Sequence, residues 1–359
     1  MKRVLFSLAF LLCLTALQAR PLRIGVAGVT HDHLGGVVSA LRGGDVEVVG
    51  VWESDERYLH DNVLTGKVPD ALFFSDLGKM LDKTRPEAVV AYGSIQDHLA
   101  VVQACAPRGI HVMVEKPLGA TLQDAYQMAF LARHFGILLL TNYETTWYAS
   151  NAYVKQQVEE GKLGKLVRID VYDGHEGPAE IGCSQKFLDW LTDPVRNGGG
   201  AVIDFGCYGA NLATWLLDGA VPEKVFAVLR QNKPSVYPNV DDDAEIMLSY
   251  GNVTVNIGAS WCWPTGRKDM YVYGLDGYLY QRTPERLQAM YKGEGVPEFA
   301  APALAAPYDN SFRYLKAAVR GEIEVHPNDL SALENNLTVM RILDAAITSA
   351  RHGASVTLY

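Results

Sequence analysis

The feature that most restricts the fold of this chain is a rhythm across residues 22 to 142, where short, mostly apolar strands alternate with helical stretches. Leu22–Ala27, Val46–Trp52, 71–74, Ala88–Ala91, 111–114 and 137–142 read as the strands. They are rich in β-branched and aliphatic residues and mostly apolar throughout, as a strand is when a parallel sheet buries it on both sides. Between the last two, Leu122, Ala125, Ala129 and Ala132 recur on one face at helical spacing. Strict alternation of strand and helix gives a doubly wound α/β sheet, whose ligands sit at the carboxyl ends of the strands.

After Tyr143 the rhythm changes. A helix is expected over 151–161, closed by Gly161. Residues 167–172 open a series of longer, alternating strands. Strands at 245–250 and 253–259 flank Gly251-Asn252, and those at 270–273 and 278–280 flank a turn holding Asp276-Gly277. Both are hairpin signals, so the second half is expected to be α+β with an open, mainly antiparallel sheet. A helix over 328–351 and a strand over 355–359 complete it. The expected organisation is a leader over 1–19, a doubly wound domain over 20–142 and the α+β domain over 143–359, packed on each other with a cleft between. A chain of 359 residues has enough length for two cores.

Lys2 and Arg3 precede an apolar run from Val4 to Leu17, which at about 14 residues is too short to span a bilayer. Ala19 supplies a small residue at a cleavage point. This reads as a secretory signal peptide, implying a periplasmic or secreted protein with no membrane partner after cleavage; the alternative is an uncleaved N-terminal anchor. Removal leaves Cys105, Cys183, Cys207 and Cys262, none in a CxxC or other metal spacing. Buried free thiols are expected, and no metal site. The net charge of -9 argues against nucleic acid or an anionic membrane as partner.

The first strand runs into Gly25-Val26-Ala27-Gly28-Val29-Thr30-His31-Asp32-His33-Leu34. A dinucleotide-binding turn reads GxGxxG here, with pyrophosphate lying against backbone at a helix N-terminus. Gly28 keeps the first glycine; Thr30 and His33 stand in place of the others. Thr30 has a hydroxyl for phosphate, and His31 or His33 would lie over it. The alternative is that Thr30 caps the helix and the histidines are surface residues. The second strand ends at Glu53, placed to bond ribose hydroxyls and to favour NAD over NADP, since a 2′-phosphate would meet a like charge.

The fifth strand ends in Glu115-Lys116-Pro117. A lysine at that edge has no packing reason to be there. Its amine is suited to relay a proton, with a pKa that falls if desolvation dominates.

These residues resemble the Gfo/Idh/MocA oxidoreductases, named for glucose-fructose oxidoreductase and inositol dehydrogenase. Glu115-Lys116-Pro117-Leu118 matches the family's EKP motif, and His98 stands where the helix after the fourth strand carries a histidine. Gly198-Gly199-Gly200-Ala201-Val202-Ile203-Asp204-Phe205-Gly206 matches its glycine-rich segment. Ser260-Trp261 and the tail over 345–356 match as well. The resemblance implies a Rossmann domain, a nicotinamide cofactor, NAD or NADP, and an active site containing Lys116 and Asp204. The third member is usually a histidine four residues after the aspartate. Here it is Tyr208, as in the glucose-fructose oxidoreductase branch, sharing a helix face with Asp204 at i,i+4. Tyrosine can act as acid or base where a neighbouring lysine lowers its pKa. His98 and Glu115 are expected on the cofactor side together with Gly28, Thr30, His31, His33, Glu53 and Lys116.

Tyr143, His175 and Trp190 are candidates to line a sugar site, with Glu144, Glu176 and Asp189 behind them. His175-Glu176 lacks a third metal ligand. Asp241, Asp242 and Asp243 read as a solvated acidic turn. The expected function is oxidation or reduction of a sugar or polyol hydroxyl. Outside the cytoplasm no nicotinamide pool recycles the cofactor, so it must be held tightly. Two alternatives share the residues: an NAD-dependent glycoside hydrolase or lyase working through a transient keto-sugar, and a carbohydrate-binding relative without catalysis. A homo-oligomer joined at the open sheet face is expected by analogy.

Overall fold

A computed structural model describes residues 20 to 358. The leader expected over 1–19 and the last residue, Tyr359, lie outside the described residues. The first sheet comprises β1 (Leu22–Ala27), β2 (Val46–Trp52), β3 (Phe73–Phe74), β4 (Ala88–Ala91), β5 (His111–Glu115) and β6 (Leu139–Asn142). All pair in parallel, in the order β3-β2-β1-β4-β5-β6. The order reverses direction beside β1, which opens a crevice between the carboxyl ends of β1 and β4. The helices between them are α1 (Gly35–Gly43), α2 (Glu56–Leu59), α3 (Leu77–Thr84), α4 (Asp97–Cys105) and α5 (Leu122–Phe135). The strand expected over 71–74 shortens to Phe73–Phe74, because a 3-10 turn over Asp70–Leu72 takes up its first residues.

The second sheet joins β7 (Leu166–Gly174), β8 (Lys224–Arg230), β9 (Asp243–Tyr250), β10 (Val253–Ser260), β11 (Arg267–Gly274), β12 (Gly277–Gln281), β13 (Arg286–Tyr291), β14 (Glu294–Ala300) and β15 (Val356–Thr357). Its order is β14-β13-β12-β11-β7-β10-β9-β8-β15, antiparallel except where β7 runs parallel to β10. The β9–β10 hairpin turns at Gly251-Asn252 as expected, with Gly251 at φ +58°. The next hairpin turns at Leu275-Asp276, and Gly277 already pairs with Gly274.

The remaining helices are α6 (Ala149–Glu159), α7 (Gln185–Leu191), α8 (Ala201–Asp204), α9 (Gly206–Leu216), α10 (Ser311–Val319) and α11 (Leu333–His352). The helix expected from 328 begins at Leu333, since residues 326–332 are held in turns by Asp329, which accepts from His326 N at 2.8 Å. α9 is buried on almost every side, so it lies inside the molecule rather than on its surface. One apolar core runs from α3, α4 and α5 of the first unit through Tyr143 to α9, α11 and the inner face of the second sheet. The two units therefore share packing, and the carboxyl edge of the first sheet faces the second. No described helix is long and apolar enough to cross a membrane. Cys105, Cys183, Cys207 and Cys262 are free thiols; Cys105 and Cys207 are buried and the other two partly so.

Candidate active site

Lys116 follows β5 at the carboxyl edge of the first sheet. α8 brings Asp204 to it across a close approach. Asp241 accepts from Gly200 N at 2.8 Å and Val202 N at 2.7 Å, capping the start of α8. A Cβ on Gly200 would overlap the Asp241 carbonyl oxygen, so bare backbone is required there. Asp242 is fully buried and accepts from Asn232 N at 2.7 Å and Lys233 N at 2.6 Å. Its carbonyl receives Trp261 N at 2.8 Å, and Trp261 Nε1 donates to Asp204 Oδ2 at 2.9 Å. The expectation of a solvated acidic turn is corrected here. Asp241 and Asp242 spend their carboxylates on backbone N–H groups that fix Asp204 and its indole partner.

The Lys116 ammonium forms an ion pair with the Asp204 carboxylate and donates to the Asp204 carbonyl at 2.9 Å. The two side chains are only 7% and 8% exposed, so water does not screen the pair. Phe205 interrupts the expected single helix, so Asp204 ends α8 and Tyr208 stands in the first turn of α9, its ring centre 5.0 Å from Lys116 Nζ. Tyr143 packs edge-on against that ring at 5.4 Å. Burial alone would lower the Lys116 pKa, but the Asp204 charge outweighs it and the amine is held above its ordinary value. Burial would raise Asp204; Lys116 and Trp261 instead hold it below the usual carboxylate range. The pair rests charged, so the expected fall in the lysine pKa is not what the fold builds. Nor is a phenol lowered by lysine: burial, with Asp173 and Glu144 nearby, pushes Tyr208 up.

A second ammonium was not anticipated. Lys268 on β11 pairs with Glu144 Oε2 at 2.6 Å, and its Nζ lies 4.6 Å from the Tyr208 ring centre. Asp173 stands opposite it on β7. Burial raises the Asp173 pKa well above the carboxylate range, despite Lys268 and Lys116. His175 meets Phe205 edge-on at 4.9 Å, and burial lowers its pKa. Glu176 only offers its carbonyl to Lys233, and Asp189 is exposed and bonded to Gln185.

At the other end of the crevice, Gly28 adopts φ +82°, and a Cβ there would strike the Gly93 backbone. Thr30 is not the cap of the following turn; His31 is, its Nδ1 accepting from His33 N at 3.1 Å. Glu53 accepts from Val29 N and Asp55 N, both at 3.0 Å, tying the turn to the end of β2. His33 Nδ1 meets Glu115 Oε2 at 3.0 Å, and Asn142 donates to Glu115 Oε1 at 2.8 Å. His31 is buried beneath Phe187 and Trp190 of α7, with ring centres at 4.8 and 5.3 Å. Trp190 is therefore brought to this turn rather than to Tyr208. His98 is buried behind the Lys116 segment and donates from Nδ1 to the Leu118 carbonyl at 3.1 Å.

Two observations test this crevice as a dinucleotide site. The N-terminus of α1 has no side-chain cap, and a Cβ on Gly35 would meet nothing within 4 Å. The space beside the Gly35 Cα is open, which leaves room for a phosphate to approach the backbone there. Among the described residues, Trp190 Nε1 beside the nucleotide turn and His98 Nε2 behind the Lys116 segment are buried without hydrogen-bond partners, and a polar ligand would give such atoms partners. The residues present fit the group. The donor atoms of His31, His33 and Glu115 also lie within 4.8 Å of one another, but a cation there would have to displace the bonds from His33 N to His31 and from His33 Nδ1 to Glu115.

Residues 22–143 match the family described as the oxidoreductase family with an NAD-binding Rossmann fold, and residues 151–280 match the GFO/IDH/MocA C-terminal domain. The trans-1,2-dihydrobenzene-1,2-diol dehydrogenase of Mus musculus is 25% identical over 80% of this chain and 83% of its own length. The 1,5-anhydro-D-fructose reductase of Ensifer adhaerens is 25% identical over 56% of this chain and 59% of its own. Among solved structures, an inositol dehydrogenase homolog from Azotobacter vinelandii complexed with NAD+ superimposes with a TM-score of 0.81 at 17% identity, covering 95% of this chain and 98% of that one. An aldose-aldose oxidoreductase from Caulobacter crescentus complexed with glycerol superimposes at 0.78 and 20% identity, covering 94% and 100%. With both sheets and both halves of the sequence accounted for in this way, the chain belongs to the Gfo/Idh/MocA family and is an NAD(P)-dependent oxidoreductase of that type.

Proposed function

We propose that this protein is an exported oxidoreductase that acts on a sugar or polyol hydroxyl and keeps its nicotinamide cofactor bound between turnovers. The buried Lys116–Asp204 pair beside Tyr208 carries the reading. The relatives named above for diol and anhydro-sugar chemistry support the substrate class, and the Lys-Arg-led apolar segment over 1–19 supports export to the periplasm or beyond.

The α1 N-terminus, Thr30, His31, His33 and Glu115 would hold the dinucleotide, and Glu53 favours NAD by like-charge exclusion of a 2′-phosphate. When bound, the cofactor supplies the hydride donor or acceptor. This chain's residues do the rest. Lys116, as an ammonium, gives a proton to a carbonyl oxygen in reduction and recovers it in oxidation. Asp204 holds the amine in position and balances its charge. Tyr208, with a phenol kept protonated, donates to the same oxygen.

Retention has its own support. Between β7 and α8 the second unit reaches over the nucleotide turn. Ser184 N and Oγ both donate to Asp32, at 2.9 and 2.5 Å, and Lys186 Nζ donates to the Asp61 carbonyl at 3.1 Å. Gln96 N donates to the Arg196 carbonyl at 2.9 Å. The open face of the second sheet, where Tyr271 stacks on Tyr280 at 4.0 Å, supports assembly of like copies.

The test is to denature purified protein and look for released dinucleotide by absorbance and mass. NAD(H) in near-equal amount to protein is expected. A protein that is empty and does not bind added NAD or NADP sinks the proposal in favour of a binding module.

A further inference from the structure

We propose that Asp173 and Lys268 form a second oxygen-binding station beside the Lys116–Asp204 pair, so that the substrate is a vicinal diol of a sugar or polyol with one oxygen at each station. The inference rests on the function proposed above and adds to it which substrates are chosen.

The strand pattern makes the case. Along β7, Ile169, Val171 and Asp173 share the inner face; along β11, Lys268, Met270 and Val272 do. Residues 169, 171, 270 and 272 are core. An alternating strand has every reason to stay apolar, yet the last inward position of β7 and the first of β11 hold a carboxyl and an amine directly opposite each other. Asp173 is 2% exposed, and its Oδ1 has no hydrogen-bond partner among the described residues. Buried polar atoms are almost always satisfied, so this one needs a reason. Lys268 has three donors; one goes to Glu144, which Tyr148 OH steadies at 2.6 Å. Lys116 and Lys268 both lie within 5.0 Å of the Tyr208 ring centre. One phenol thus adjoins both stations.

Burial shifts Asp173 toward its protonated form, and in either form its carboxyl accepts from a hydroxyl while Lys268 donates to one. A substrate hydroxyl also donates and accepts, so Asp173 and Lys268 satisfy it fully. No bond is made or broken at this station. In oxidation the neighbouring carbon would give its hydride to the bound nicotinamide, and its oxygen would give a proton to Lys116 in the amine form that remains after the ammonium has lost its proton. Asp173 and Lys268 are specificity-determining residues, and a mono-alcohol leaves them unfilled.

The experiment uses the full chain with its cofactor, as wild type and as Asp173→Asn, Lys268→Met and Lys268→Arg. Trans-cyclohexane-1,2-diol and cyclohexanol are compared as substrates, and myo-inositol binding is followed by calorimetry. Wild type is expected to prefer the diol. In Asp173→Asn and Lys268→Met the ratio of diol to mono-alcohol kcat/KM should fall about tenfold or more, mainly through KM, with Lys268→Arg intermediate. If no probe alcohol is turned over, inositol binding decides, and it should weaken about tenfold in the same variants. An unchanged ratio, or inositol affinity unaltered by Asp173→Asn, overturns the station, as does wild type that carries cofactor yet neither turns over the diol nor binds inositol. Failure of the functional reading is seen separately, as a chain without cofactor or affinity for it.

Discussion

Replacing Asp204 by alanine removes the counter-charge of a lysine that is 7% exposed and leaves Trp261 Nε1 without its acceptor. Breaking a buried ion pair from one side typically costs about 3–5 kcal/mol. A second estimate agrees. Lys116 can escape by losing its proton, and taking a lysine of pKa about 10.4 to its neutral form at pH 7 costs about 4.6 kcal/mol, which is therefore an upper limit on the charge penalty. The orphaned indole N–H adds about 1 kcal/mol or more. A loss of about 4–6 kcal/mol corresponds to a fall in Tm of about 10–20 °C for a unit of this size. The pH dependence separates charge from packing. In the variant the folded state holds Lys116 neutral, so the penalty is full at neutral pH and shrinks as pH rises toward about 10.4, where the unfolded chain also loses that proton. In the wild type, Asp204 titrates below its ordinary range, so its contribution is present above the unfolded carboxylate pKa and is lost as pH falls through the folded value. Thermal unfolding of both proteins at pH 6, 7, 8, 9 and about 10 reads the difference directly. A loss under about 1 kcal/mol at pH 7, or one that stays constant to pH 10, would mean that the ammonium is solvated, and the charged buried pair would have to be abandoned.

Lys116→Ala should abolish turnover while dinucleotide still co-purifies; unimpaired turnover removes Lys116 from the chemistry. Asp241→Ala deletes the acceptor for Gly200 N and Val202 N and should destabilise by about 1–2 kcal/mol, as loss of a helix cap does, in a denaturant titration. Glu53→Ala frees Val29 N and Asp55 N and should lower NAD affinity more than NADP affinity; equal loss for both would show that Glu53 braces the turn without discriminating.

The first sheet could be read from sequence because its central strands are mostly apolar and short, and the helix between β5 and β6 shows its own period. Lys116, Asp204 and Tyr208 were also legible, since each lies within a local motif. Lys268 and Asp173 were not, because their meeting depends on β7 pairing with β11 across nearly a hundred intervening residues, and no local pattern states which strands pair. A signal was still present. Each is the one ionisable residue on the inner, apolar face of an alternating strand, and such a residue is expensive unless it serves a site. Asp241 and Asp242 show the converse error. Three adjacent aspartates look solvated because charge density favours water, but the backbone N–H groups that claim them come from residues 200, 202, 232 and 233. The β7–β10 parallel pairing was equally hidden, as it requires α8 and α9 to cross the sheet between them.

Cofactor retention can be tested where the second unit crosses the nucleotide turn. If bound dinucleotide can leave only when that segment lifts, then weakening its anchor speeds release without touching the residues that would contact the ligand. Asp32 is the anchor to change: it takes both the N–H and the hydroxyl of Ser184 and is itself exposed. Hydrogen bonds to a carboxylate are strong, but solvent access reduces these, and together they contribute about 1–2 kcal/mol. Since opening must break them, Asp32→Ala should raise the dissociation rate about fivefold to thirtyfold, measured by exchange of bound dinucleotide for an excess of labelled NAD. The association rate should rise as well, because the same opening admits the ligand, so the dissociation constant should change less than either rate. Phe187→Ala removes the ring packed on His31 and should act in the same direction. If neither variant alters exchange, the segment does not gate the crevice, and tight holding would have to come from contacts to the dinucleotide itself.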